Sequence, residues 1–140
     1  MSRLGKMPSW QRWFALVSML ACSISGTAYL MGHQFLFLKQ SLGIHSVLAW
    51  HGITALVATL ALGSILPFHL KAGLKAKRKL ASGLSQLVFL VVLLMSGAML
   101  YYGPEETRDG VVLTHWMVGL LFFAIFFSHG VLPQLKPRPR

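Results

Sequence analysis

Four apolar runs, each about as long as a membrane-crossing helix, separate short clusters of charged residues in this chain of 140 residues. A helix needs about 20 residues to cross the hydrocarbon core of a bilayer, and only helices or closed barrels satisfy their backbone groups there. The runs lack the alternation of barrel strands. With 55% hydrophobic and 11% charged residues, the composition excludes a soluble domain of this size. The sequence predicts one all-α integral membrane domain over 1–140, a four-helix transmembrane bundle with helices at about 11–32, 44–69, 83–103 and 111–132.

Basic residues indicate which side of the membrane each link faces. They cluster at the N-terminus, between the second and third runs, and at the C-terminus, whereas all three acidic residues lie between the third and fourth runs. Because Lys and Arg are retained on the cytoplasmic side, we predict that both termini are cytoplasmic. The net charge of +10 is then a topology signal, with anionic membrane lipids as partners and no nucleic acid. The clustered basic residues are Arg3, Lys6, Arg12, Lys71, Lys75, Lys77, Arg78, Lys79, Lys136, Arg138 and Arg140.

Histidines are nearly the sole ionisable residues inside the apolar runs, and ionisable groups in a bilayer mark functional sites by default. The lack of deep Asp or Glu argues against a carboxylate proton relay and against an acid–base hydrolase. His51 and His69 are 18 residues apart, which is five helical turns. His115 and His129 are 14 residues apart, about 40° short of four turns. Each pair is therefore predicted to share one face of its helix.

The depths of the histidines also agree between the second and fourth helices, which are predicted to be parallel. His51 and His115 each adjoin a tryptophan near the outer surface, and His69 and His129 lie near the cytoplasmic ends. Two facing imidazoles are what a six-coordinate haem iron takes from a protein, whereas a zinc ion usually takes four ligands. We therefore predict two haems b. His51 and His115 would bind the outer iron, and His69 and His129 the inner iron.

Two stretches of the chain resemble a known family. The segment SGAMLYYGPEETRDGVVLTHWMVGLLFFAIFFSHGV at 96–131 and the segment WHGITALVATLALGSILPFHLKAGLKAKRKLASG at 50–83 cover about half of the sequence. They are similar to small bacterial four-helix membrane proteins of the di-haem cytochrome b superfamily, which includes cytochrome b-561-like proteins. The resemblance implies that His51, His69, His115 and His129 are axial haem ligands. It implies no particular substrate.

The expected function is electron transfer in the bacterial inner (cytoplasmic) membrane, between the quinone pool and an unidentified redox partner protein. No catalytic residue is assigned. Two other functions stay open: a haem-bearing anchor subunit of a larger oxidoreductase, and a haem-free, histidine-lined metal or proton carrier. The histidines could also serve as hydrogen-bonding groups between helices. His33 and His45, near the outer surface, are interpreted as interfacial residues or as part of a quinol site. The sequence shows no internal repeat.

Overall fold

A computed structural model describes residues 8–34, 43–76 and 80–132, and this part of the chain is helical. Four of its helices are long and apolar enough to cross a membrane, which confirms the prediction at that level. The chain divides into two compact units, Met1–Arg78 and Lys79–Arg140. The elements in chain order are α1 (Ser9–Gln34), α2 (Ile44–Ala76), α3 (Leu80–Tyr102), a 3-10 turn (Glu105–Thr107), α4 (Arg108–Phe126) and a π-helix (Phe127–Val131).

Large apolar side chains lie on the outer surface of each unit. Trp50, Leu56 and Leu60 on α2 are each 64% exposed, and Met95 on α3 is 62% exposed. Contiguous apolar surface of this kind is unfavourable in water by about 25 cal/mol per Å². It is the surface expected of helices whose surroundings are hydrocarbon.

In the first unit, α1 and α2 form an antiparallel hairpin. Ala15 on α1 packs with Ala61 and Ile65 on α2. Further along α1, the carbonyl oxygen of Cys22 contacts His51, which lies nearer the start of α2. Alanines at the crossing allow the two backbones to approach closely, which is how helices gain packing energy in a lipid environment. The hairpin therefore fixes the depth at which His51 meets α1.

Ala61 has no exposed surface, so its contacts leave no room for a larger side chain. We expect Ala61→Leu to lower the free energy of unfolding by about 1–3 kcal/mol through overpacking. Ala49→Leu makes the same change at an exposed position of α2 and serves as the matched control. Thermal unfolding of both variants in detergent measures the difference, and equal melting temperatures would contradict the packing described for Ala61.

The second helix was predicted over about 44–69, and its candidate membrane span is His45–Phe68, but the helix itself continues to Ala76. The end of the second helix was predicted from the end of the apolar run. A helix backbone supplies its own hydrogen bonds and does not need apolar side chains, so it continues through Lys71 beyond that point. The helix also passes through Pro67, where the ring nitrogen has no hydrogen to donate to the carbonyl of Gly63.

In the second unit, α3 and α4 form another antiparallel hairpin with a short turn. The N–H of Gly103 donates to the carbonyl of Met99 at 2.8 Å. A Cβ on Gly103 would lie 2.5 Å from that same carbonyl oxygen, so this turn requires glycine. The helix α4 begins at Arg108 and not at the predicted 111. Asp109 in its first turn favours that earlier start, because a carboxylate stabilises the positive end of the helix dipole.

Candidate functional site

His51 in the first unit points from α2 toward α1. Its Nδ1 lies 3.1 Å from the backbone carbonyl oxygen of Cys22 and 3.3 Å from Oγ of Ser25. A carbonyl oxygen only accepts hydrogen bonds, so Nδ1 carries the hydrogen and donates it. A neutral imidazole has one ring hydrogen, and the lone pair of His51 is therefore on Nε2.

Small residues of α1 surround the His51 ring. A Cβ added to Gly26 would lie 2.8 Å from Cε1 of His51, closer than side-chain carbons approach one another. Ser25 Oγ donates to the carbonyl of Cys22 at 3.0 Å and lies 3.1 Å from Oγ1 of Thr54. The thiol sulfur of Cys22 is 4.0 Å from Nδ1 of His51. The ring is held by hydrogen bonds on one side and fits against bare backbone at Gly26.

His115 in the second unit has a corresponding environment. Its Nδ1 lies 2.8 Å from Oγ of Ser96 on α3. Ser96 Oγ also lies 3.2 Å from the carbonyl of Leu93, and when its hydrogen is directed there it accepts from His115. In that arrangement Nδ1 of His115 is the donor and its lone pair is on Nε2, as in His51. Ser96 is 7% exposed, so this hydrogen bond is shielded from solvent.

The two hairpins thus share one arrangement, in which a histidine of the second helix packs against the first helix. In both, a Ser–Gly step on the first helix meets the imidazole of the second helix: Ser25–Gly26 with His51, and Ser96–Gly97 with His115. The fit is looser in the second unit, where a Cβ on Gly97 would lie 3.6 Å from Cε1 of His115.

Sequence reasoning missed Ser25, Gly26 and Ser96. The available signal was the dipeptide Ser–Gly in the first helix of each hairpin, but the same dipeptide occurs at residues 82–83. A pair of residues that recurs elsewhere in a short chain does not identify a site. Only the contacts of Ser25 with His51 and of Ser96 with His115 show that these two dipeptides belong to the candidate site.

The inner histidines are described only in part. His69 lies within α2, as predicted, but its side chain is outside the described residues. His129 is partly exposed and lies in the π-helix Phe127–Val131. The prediction that His115 and His129 share a face assumed a continuous α-helix. That assumption is wrong, because a π-helix has more residues per turn and rotates the residues that follow Phe126.

His33 and His45 are both exposed near the ends of their helices. The ring of His33 stacks on Tyr29, one helical turn earlier, with centroids 6.2 Å apart and planes at 19°. Residues 35–42 of the predicted outer link lie outside the described residues. A quinol site at His33 and His45 stays a prediction.

The donor chemistry of His51 and His115 fits haem better than a metal ion held by protein alone. Among the residues that the structure describes, no group of three or more His, Cys, Asp or Glu side chains forms a possible metal site. A tetrahedral zinc site needs four ligands. A haem iron can be held by a single imidazole, bound through a ring nitrogen with a lone pair, and each of the two histidines could present one.

Comparisons of the chain with protein families, with curated proteins and with solved structures found no match.

Proposed function

We propose that this chain is a multi-pass membrane cytochrome b of the bacterial inner membrane, with cytoplasmic termini, that carries electrons between the quinone pool and a redox partner. The observation that carries the proposal is that Nδ1 of His51 and Nδ1 of His115 each lie within hydrogen-bond distance of an oxygen atom of the neighbouring helix. A ring that donates its Nδ1 hydrogen there keeps its lone pair on Nε2, which is the form that binds a metal. The positions of His69 and His129, near the predicted cytoplasmic ends of the second and fourth apolar runs, add them as the inner ligands.

A hydrogen bond from Nδ1 is what a metal-ligating histidine usually has. It fixes the tautomer, holds the ring in one orientation and raises the basicity of the other nitrogen. In His51 the acceptor is the Cys22 carbonyl, and in His115 it is the Ser96 hydroxyl. Both rings are therefore prepared as ligands before any iron binds.

A purely structural role would also explain one such hydrogen bond. Histidines do link transmembrane helices, at about 1 kcal/mol for each bond. Ligation is favoured because the contact of Nδ1 with the serine of a Ser–Gly step occurs in both hairpins, and because Gly26 lacks the side chain that would block the His51 ring. A helix link alone does not require that fit.

In the proposed mechanism the chain holds the cofactor and shields it. A bound haem supplies the one-electron chemistry. His51 and His115 orient their imidazoles, and the Cys22 carbonyl and Ser96 hydroxyl retain the Nδ1 hydrogens, so that neither ring has to change its protonation.

The test is a dithionite-reduced minus oxidised spectrum of the purified full chain, with pyridine haemochrome quantitation. We expect two haems b per chain when haem supply is adequate. The variant in which His33 and His45 are both replaced by alanine is the control and is expected to keep both. One haem per chain would leave one predicted pair as structural residues, and no haem would rule out the cytochrome in favour of a carrier or structural role.

A second measurement separates a free-standing electron carrier from an anchor subunit. The chain is purified from its native membrane in mild detergent, and reduction of its haem by a soluble quinol analogue is followed optically. Reduction by quinol without any co-purifying protein is expected for a carrier. A stoichiometric partner with an oxidoreductase domain, and no reduction in its absence, would instead identify an anchor.

A further inference from the structure

A groove of about 660 Å³ lies along the second hairpin, between α3 and the segment that runs from the 3-10 turn into α4. Val91, Met95 and Met99 line its α3 side. Val91 and Met99 are eight residues apart, which is about 12 Å along a helix. Small-molecule sites in proteins have volumes of about 300–1,000 Å³, so the groove is large enough for a ring-sized ligand.

The opposite wall of the groove carries polar groups, from Glu106, Thr107 and Thr114. Thr107 Oγ1 donates its hydrogen to the carbonyl of Pro104 at 2.9 Å, and Thr114 Oγ1 donates to the carbonyl of Gly110 at 2.8 Å. A hydroxyl has a single hydrogen, so each of these oxygens remains as an acceptor. An ionised carboxylate only accepts hydrogen bonds, so Glu106 adds two more acceptor oxygens. The polar wall therefore matches a ligand that donates.

We infer that this groove binds the reduced, quinol form of a membrane quinone, with Glu106 accepting a hydrogen bond from one of its hydroxyl groups. The inference rests on the proposed function and extends it by naming a binding site and the redox state that the site prefers. A quinol has two O–H donors, whereas a quinone has two carbonyl acceptors. An acceptor wall pairs with the quinol and sets oxygen against oxygen for the quinone.

Charge and polarity argue against other occupants of the groove. Among the described residues that line it, Glu106 is the charged one, and Arg108 in the next turn pairs with Glu105 at 3.5 Å. The phosphate of a lipid head group would therefore meet a carboxylate without a cation beside it. A lipid acyl chain would fill the apolar side but leave the polar wall facing hydrocarbon, which is unfavourable. A neutral ring with hydroxyl groups satisfies both sides.

The groove also adjoins the candidate site of the second hairpin. Ser96 lines the groove, and its Oγ lies 2.8 Å from Nδ1 of His115. Thr114 on the polar wall is the residue before His115 in the chain. A quinol in this groove would lie beside residues that contact or adjoin a proposed haem ligand, which suits a molecule that gives electrons to that haem.

The experiment measures binding of decylubiquinol and of its quinone to the full chain, prepared without haem in lipid nanodiscs under anaerobic conditions. Calorimetry gives both dissociation constants, and empty nanodiscs give the background from partitioning into lipid. We expect the quinol to bind about tenfold more tightly than the quinone. Glu106→Gln is expected to weaken quinol binding about tenfold, because hydrogen bonds to a charged acceptor are about twice as strong as neutral ones. Its amide can donate to a quinone carbonyl, so the preference for quinol should disappear as well.

Glu105→Gln is the matched control, because it makes the same change of charge in the same turn at a residue that does not line the groove. It is expected to keep the wild-type affinities. A second variant fills the groove. A Cβ on Gly110 would meet no atom within 4 Å, so Gly110→Leu adds bulk to the lining without a clash and is expected to abolish binding of both forms. Gly110→Ala adds little bulk and is expected to retain binding.

Each contrary outcome is distinct from failure of the proposed function. A wild-type chain that binds quinol no better than empty nanodiscs would overturn the inference, even if it binds haem. Equal effects of Glu106→Gln and Glu105→Gln would also overturn it, as would unchanged binding in Gly110→Leu. Quinol binding that follows this pattern in a chain that never takes up haem would support the groove and reject the cytochrome.

Discussion

Replacing His115 by alanine is expected to remove one of the two proposed haems, and His51→Ala is expected to remove one as well. Alanine cannot supply the axial nitrogen, and iron loses a ligand whose ring is held in place by the neighbouring helix at 2.8 Å in one hairpin and 3.1 Å in the other. Pyridine haemochrome quantitation of each purified variant measures the loss directly. The loss should be complete for that haem, because alanine leaves its iron without that nitrogen ligand.

The double variant His51→Ala/His115→Ala tests the pairing that the sequence predicts. If both histidines serve the same iron, the double variant retains as much haem as either single variant, since residues that act as a unit are not additive. If they serve different irons, the double variant loses both haems. His45→Ala is the matched control, because His45 is exposed in the first turn of α2 and is assigned no iron. Loss of haem in this control would contradict the assignment of ligands.

Substituting Gly26 by alanine is expected to displace the His51 ring. The new Cβ would lie 2.8 Å from Cε1 and 3.1 Å from Nδ1, so either the ring or the helix must move. The ring cannot move without stretching its hydrogen bond to the Cys22 carbonyl. We expect a loss of about 1–3 kcal/mol in the free energy of unfolding, as for other overpacked sites, together with loss of the haem proposed for His51. Thermal unfolding and haem content of the same preparation measure the two effects.

Two other glycines provide matched controls for this substitution. A Cβ at Gly63 on α2 would meet no atom within 4 Å, so Gly63→Ala is expected to be neutral or to stabilise the helix by up to about 1 kcal/mol. A Cβ at Gly97 would lie 3.6 Å from Cε1 of His115, an ordinary contact, and Gly97→Ala is expected to retain haem. If Gly26→Ala behaves like Gly97→Ala, the close fit of His51 to α1 is refuted.

The four helices were predictable because their signal is local. An uninterrupted apolar run of about 20 residues leaves the backbone few alternatives in a membrane. The ends of the helices were less predictable for the opposite reason. Helix α2 continues through Lys71 to Ala76 on its own hydrogen bonds, and α4 starts early at Arg108, because charged residues at a helix end stay helical while facing water.

Of the residues in the candidate site, the sequence predicted only the histidines. Spacing along a helix predicts which residues of that helix share a face with His51 or with His115. It does not show which groups of another helix these two histidines contact. The roles of Ser96 and Gly26 come from the crossing of two helices, which depends on side chains distant in sequence. The π-helix at His129 is likewise a departure from regular helix geometry, and the periodicity of the sequence does not predict it.

Cys22 is the single cysteine of the chain, and its sulfur lies 4.0 Å from the His51 ring. The natural sequence therefore already contains one unique attachment point for a spectroscopic label, beside the imidazole whose position matters most in the first hairpin. Any label placed there competes for the same space as the ring. Thiol reactivity thus reports how often this part of the hairpin opens, and it does so without any engineered residue.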